Sequence, residues 1–136
     1  MNIILTESPE SADIDFLTQA INQEAPKEYG SAHPFAFFAR SEDDSIIAGC
    51  NGSVIYGTIY TDQLWVDPKH RKSGIGRWLM ECVHKYAIAK DCRIATVATM
   101  SFQNAQSFYE KLGYTVDYAR AGYANEAICL FLSKRL

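Results

Sequence analysis

Apolar residues recur along the chain in two periods, and the change from one to the other marks the elements. Ile75, Leu79, Cys82, Val83 and Tyr86 fall at i, i+4, i+7, i+8 and i+11, one face of a helix from Gly74 to about Lys90. Phe16, Leu17, Ala20 and Ile21 show the same spacing and predict an earlier helix with one apolar stripe. Ser8 and Pro9 would start it as a cap and a first-turn proline, and Pro26 stops it near Glu24. Asn104 to Leu112 reads as a third, short helix closed by Gly113.

The remaining apolar segments are short, β-branched or alternating. Strands are expected at Asn2 to Thr6, Phe35 to Arg40, Ile46 to Tyr56, Ile59 to Val66, Arg93 to Met100, Tyr114 to Tyr118 and Ala127 to Leu132. The polar run Ser41 to Ser45 and the pair Gly57-Thr58 make residues 35 to 66 an antiparallel meander. Gly49 and Gly52 interrupt its middle strand, and glycine there marks a bulge or a close backbone approach. With 136 residues and 48% hydrophobic content, the chain is expected to form one domain, residues 1 to 136, around one core.

Charge changes the picture more by its distribution than by its total of -3. Residues 1 to 68 hold 2 Lys/Arg against 11 Asp/Glu, and residues 69 to 136 hold 11 against 5. Lys69, Arg71, Lys72 and Arg77 lie within one short stretch without an acid, so the second half attracts anions and the first repels them. A pI near 5.5 and no aromatic-interleaved basic stripe argue against nucleic-acid binding. Neither a leader nor a membrane span is readable. The four cysteines (50, 82, 92 and 129) form no CxxC pair, which fits reduced thiols and a cytoplasmic location. No HExxH or Cys/His cluster is present, so no metal is expected.

The chemistry concentrates at Arg71-Lys72-Ser73-Gly74-Ile75-Gly76, between a strand ended by Pro68 and the long helix. Strand, glycine loop and helix form an anion-binding arrangement. Unpaired N–H groups point out of the helix start, the dipole adds positive charge, and bare glycines admit a pyrophosphate. Leu79 stands where a dinucleotide GxGxxG loop needs its third glycine, and no GxxxxGK[ST] occurs.

Leu64-Trp65-Val66-Asp67-Pro68 with the following RKSGIG loop, and Phe108-Tyr109-Glu110-Lys111-Leu112-Gly113-Tyr114 downstream, resemble the two signatures of the Gcn5-related N-acetyltransferase (GNAT) family. The resemblance runs from about Ala36 to Tyr114. It implies an α/β (α+β) fold: a mixed, twisted sheet of six to seven strands with about three helices, splayed open to hold the pantetheine arm of acetyl-CoA. It implies that the backbone of Leu64, Trp65 and Val66 and the loop Arg71, Lys72, Ser73, Gly74, Ile75 and Gly76 bind acetyl-CoA. Tyr109 matches the tyrosine that protonates the departing thiolate.

Where many members carry an asparagine, seven residues before that tyrosine, this chain has Phe102; Asn104 either substitutes for it or caps the short helix. The position of the glutamate base found in some members is Tyr60 here. Asp62, of the same strand parity, is the candidate base. Glu28, Tyr29 and His33 border the acceptor side in related folds and are candidates to line that pocket. The implied reaction is direct attack of an amine on acetyl-CoA in a ternary complex. The acidic first half favours a cationic acceptor, whether small molecule or peptide. A non-catalytic acyl-CoA sensor would keep Gly74 and Gly76 yet not need Tyr109. His70 and His84 read as surface residues, and a homodimer through sheet edges stays open.

Overall fold

The computed structural model describes residues 1–136. Nine elements follow in the order α1 (Ser11–Glu24), β1 (Ala32–Arg40), β2 (Ile46–Ile55), β3 (Thr58–Val66), α2 (Ile75–Ala89), β4 (Ile94–Met100), α3 (Gln106–Lys111), β5 (Thr115–Arg120) and β6 (Cys129–Arg135). One six-stranded sheet runs β1-β2-β3-β4-β6-β5. All neighbours are antiparallel except β3 and β4. The parallel pair is joined through α2, the crossover such a pair requires.

Local chemistry sets the turns. Tyr56 and Gly57, at φ 48° and 84°, form the two-residue connection with both central residues left-handed, which matches strand twist. Asp43 closes the β1–β2 turn by accepting the Ser45 N–H at 3.2 Å. Hydrogen bonds from Ser41 and Ser45 hold its carboxyl below the usual range. Gly113, at φ 97°, ends α3 as expected, with Tyr114 N–H reaching back to the Tyr109 carbonyl at 3.1 Å.

The core lies on one face of the sheet, beneath α2 and α3. Leu79, Met80, Val83 and Ala87 of α2 are buried against Phe35, Ala48, Cys50, Val54, Ile59, Ala95, Val97 and Leu132 of the strands. From α3 and its exit, Tyr109 and Tyr114 complete the cluster.

Three expectations are corrected. Residues 1 to 10 contain no strand, so the sheet has six strands. Helix α1 begins at Ser11 rather than beside Ser8-Pro9, and it buries nothing, because its stripe has only the start of β1 beside it. His84 is not a surface residue. Half-buried on α2, it shares a 2.7 Å hydrogen bond with the Tyr114 hydroxyl, a partner 30 residues away that no local pattern reveals.

Burial, and then repulsion by Lys134, push the His84 imidazole below its usual 6.5, with Glu81 opposing. The unfolded chain therefore takes up the proton first as pH falls, so this contribution to stability is present above about 6.5 and lost on acidification. Thermal melts at pH 7 and pH 5 should show a larger drop in Tm for wild type than for His84→Gln. Equal drops would refute the assignment.

Candidate active site

The site is produced by a failure of pairing. Strand β3 pairs with β4 only over Thr58–Thr61 and Ile94–Val97, after which the two separate. The cause lies on the other side of β3, where the β2–β3 register slips between Asn51 and Gly52: Gln63 faces Asn51 and Thr61 faces Gly52, leaving Asp62 as an extra residue. Such a bulge bends its strand. Beyond it, Asp62 to Val66 has lost its β4 neighbour, and the backbone groups turned that way are free for a ligand.

The opening is a cleft of about 980 Å³ lined by β3, the loop before α2, the end of β4 and α3. Four permanent cations, Arg71, Lys72, Arg77 and Lys111, border it against one carboxylate, Asp62. One end is therefore built for an anion. The Arg71 Nε donates to the Val66 carbonyl at 2.8 Å, tying the loop to the end of β3. Gly74, at φ 88°, turns the chain into α2, a conformation that favours glycine.

Gly76 has no such backbone need. A Cβ there would meet the Phe108 ring at 3.5 Å and Val66 at 3.7 Å, ordinary contacts. The protein itself does not require glycine at position 76, whereas a phosphate approaching the first turn of α2 would.

Of the residues singled out in sequence, the cleft gathers Asp62, Leu64, Trp65, Val66, Arg71, Lys72, Gly74, Ile75, Gly76, Asn104 and Tyr109. Ser73 is not among the lining residues; its hydroxyl turns back to the His70 carbonyl. Asn104 does not cap α3. It is left-handed at φ 55°, its amide donates to the Phe102 carbonyl at 3.3 Å, and the cap position is Ala105.

Glu28, Tyr29 and His33 are not brought to the cleft. They lie around a single turn of 3₁₀ helix and the start of β1, two strands from β3, and His33 is occupied by the Tyr86 hydroxyl at 3.2 Å. Phe108 and Gln103, which line the cleft, escaped the sequence reading. Gln103 Oε1 accepts from Thr99 Oγ1 at 3.0 Å and Met100 N–H at 2.8 Å, fixing the turn after β4.

On β3 the Tyr60 hydroxyl donates to the exposed Asp62 Oδ1 at 3.3 Å, so the two side chains share a face as strand parity predicts. Burial, then the Asp62 charge, raise the Tyr60 phenol. Tyr109 packs edge-on against Phe108 and Tyr114, with centroids 5.1 and 5.6 Å away. Burial pushes its phenol up to about 12, so it keeps its proton at any physiological pH.

Comparison with known proteins places this geometry. The profile of the Acetyltransferase (GNAT) family matches residues 4–114. No curated protein sequence matches the chain. Among solved structures, an acetyltransferase from Bacillus cereus ATCC 14579 is similar at 23% identity, with 98% of each chain covered and a TM-score of 0.77. A protein from Agrobacterium tumefaciens assigned to the acetyltransferases is 24% identical over 100% of both chains, with a TM-score of 0.79. The PaiA N-acetyltransferase of Thermoplasma acidophilum, in complex with coenzyme A, is 17% identical over 76% of this chain and 61% of its own, with a TM-score of 0.63. The open mixed sheet, the cationic glycine loop and the match over residues 4–114 make this chain a member of the GNAT family, an acetyl-CoA-dependent acyltransferase.

Proposed function

We propose that this enzyme, all 136 residues acting as one domain, moves the acetyl group of acetyl-CoA onto a cationic primary amine by direct attack in a ternary complex. The observation that carries the reading is the polarity of the cleft, with three of its four cations on the glycine loop and the first turn of α2, and Asp62 as the lone carboxylate.

Each group then has a task. Arg71, Lys72 and the N–H groups of the first turn of α2 hold the diphosphate of the cosubstrate. Leu64 and the N–H of Val66, whose backbone groups face away from β2, hydrogen-bond the pantetheine arm and stabilise the charge that develops on the thioester oxygen, while Trp65 is paired to Gly49 of β2. Asn104 borders the same cleft and contacts that arm. Asp62 accepts the proton of the incoming ammonium, because only the neutral amine is a nucleophile. Tyr109 donates its phenolic proton to the departing thiolate, whose conjugate acid is weaker than a carboxylic acid but stronger than this phenol. Transfer from so weak an acid is uphill, and the dry wall that Phe108 and Tyr114 provide offsets this by desolvating the thiolate, which makes it a stronger base.

The acidic first half steers cations toward the site and repels acidic acceptors. A panel of amines incubated with acetyl-CoA, read by product mass, tests this. Polyamines, aminoglycoside-like amines or lysine-containing peptides should be acetylated at least tenfold faster than acidic amino acids. A preference for acidic acceptors would overturn the assignment of substrate class.

A further inference from the structure

The gap between β3 and β4 opens on two faces of the sheet, and the side chains on the outer face carry opposite charges at its two ends. Val97 belongs to the core under α2, and Thr61 beside it is 3% exposed; they are the last pair before the strands part. Asp62 and Ala98, one residue further on, therefore turn to the outer face, as the hydrogen bond from Tyr60 to Asp62 agrees. A cosubstrate seated between the glycine loop and α3 fills the inner mouth of the gap, which leaves the outer mouth to the amine.

Strand register extends this row across the sheet. Ala98 pairs with Phe131 of β6, and Phe131 with Tyr118 of β5, so Asp62, Ala98, Phe131 and Tyr118 stand side by side. The Phe131 and Tyr118 rings are 6.3 Å apart between centroids. Above both lies Arg120, its guanidinium carbon 5.6 Å from the Tyr118 ring centre and 5.7 Å from that of Phe131. Two cation–π contacts fix where this charge sits. None of the ion pairs of the protein includes Arg120, so no carboxylate of the chain neutralises it. Between the stacked fork and Asp62, only the methyl group of Ala98 stands in the row.

We propose that this row is an acceptor subsite for ω-amino carboxylates, with the ammonium at Asp62 and the carboxylate held by Arg120. A guanidinium fork matches a carboxylate in shape, and one fork balances one such charge. Adjacent strands lie about 4.8 Å apart, so Asp62 and Phe131 are separated by roughly 10 Å or more where β3 and β4 diverge. An α-amino acid, whose two charged groups hang from one carbon, is too short to bridge them. A chain such as ε-aminocaproate, or a peptide ending in lysine, is long enough. Being zwitterionic at these two groups, it is not repelled by the acidic first half of the chain. The subsite rests on the acetyl-transfer reading, in which Asp62 receives the ammonium, and narrows its acceptor to an amine with a carboxylate at the far end.

Initial rates with acetyl-CoA and two acceptors of equal length, ε-aminocaproate and its carboxamide, test it. The remote carboxylate is bound alike before and during reaction, so its contact should act on KM and not on kcat. Wild type should show a KM for the carboxylate at least tenfold below that for the amide, with kcat values within about threefold. In Arg120→Met the ratio of the two KM values should fall to about one, because only the carboxylate loses a partner. General damage to the site would raise both KM values alike and leave the ratio standing. Equal KM values in wild type, or a tenfold ratio that survives in Arg120→Met, would overturn the carboxylate subsite and leave acetyl transfer to amines intact. Rapid acetylation of a diamine with neither test acceptor turned over would do the same. Absence of turnover with every amine would overturn the subsite together with the acetyl-transfer reading.

Discussion

Tyr109→Phe should lower kcat for acetyl transfer by about 10²-fold, toward the lower end of what a positioned proton donor contributes. The substitution removes one oxygen and keeps the ring, so the packing against Phe108 and Tyr114 survives. Acetyl-CoA affinity, measured by calorimetry, should stay within about twofold, since no diphosphate or pantetheine contact is assigned to the hydroxyl. The pH profile carries a second readout. A phenol held near 12 is still protonated at pH 9, so any fall in kcat between pH 8 and 9.5 must belong to another group and should persist in the variant. Unchanged turnover in Tyr109→Phe would remove Tyr109 from the mechanism and favour a chain that binds the thioester without using this donor.

Gly52→Ala should be the most damaging single-methyl change in the fold. A Cβ at position 52 would lie 1.8 Å from the Tyr60 carbonyl oxygen and 2.8 Å from its carbon, both main-chain atoms of β3 that no rotamer change can move. Either the bulge opens or β3 shifts, and overpacking of this kind costs about 3 kcal/mol or more. Gly57→Ala is the control: its φ is 84°, in the left-handed turn, but nothing lies within 4 Å of the added carbon, so only the conformational penalty of about 1 kcal/mol applies. Urea titrations of the two variants should separate by at least 2 kcal/mol. Because the bulge also carries Asp62, any folded Gly52→Ala protein should lose activity beyond its loss of stability. A Gly52→Ala midpoint equal to that of wild type would show that the close approach is not sustained in solution.

Much of this was legible in the chain because the chemistry fixes spacing. A phosphate loop must place glycine and cation at the mouth of a helix, so residues 71–76 could be read without neighbours. Gly52 announced a close approach through its position inside a strand, although only the structure shows that Tyr60 is what approaches. The same reasoning fails where the partner is distant in sequence. The pairing of His84 with Tyr114, and of His33 with Tyr86, depends on which faces the sheet brings together. That is why His84 read as surface and His33 as part of the acceptor pocket. The stripe on α1 shows a further limit: periodicity tells which side of a helix could be covered, not whether anything in the same chain covers it.

The separation of β3 from β4 has a consequence for how the enzyme endures as well as how it reacts. Four residue pairs join the two halves of the sheet, against seven between β4 and β6, so the weakest seam of the sheet runs into its reaction chamber. A cosubstrate lodged there acts as mortar. At a hundredfold excess over its dissociation constant, it adds about 2.7 kcal/mol against opening. Resistance to opening along this line therefore rises and falls with cosubstrate occupancy.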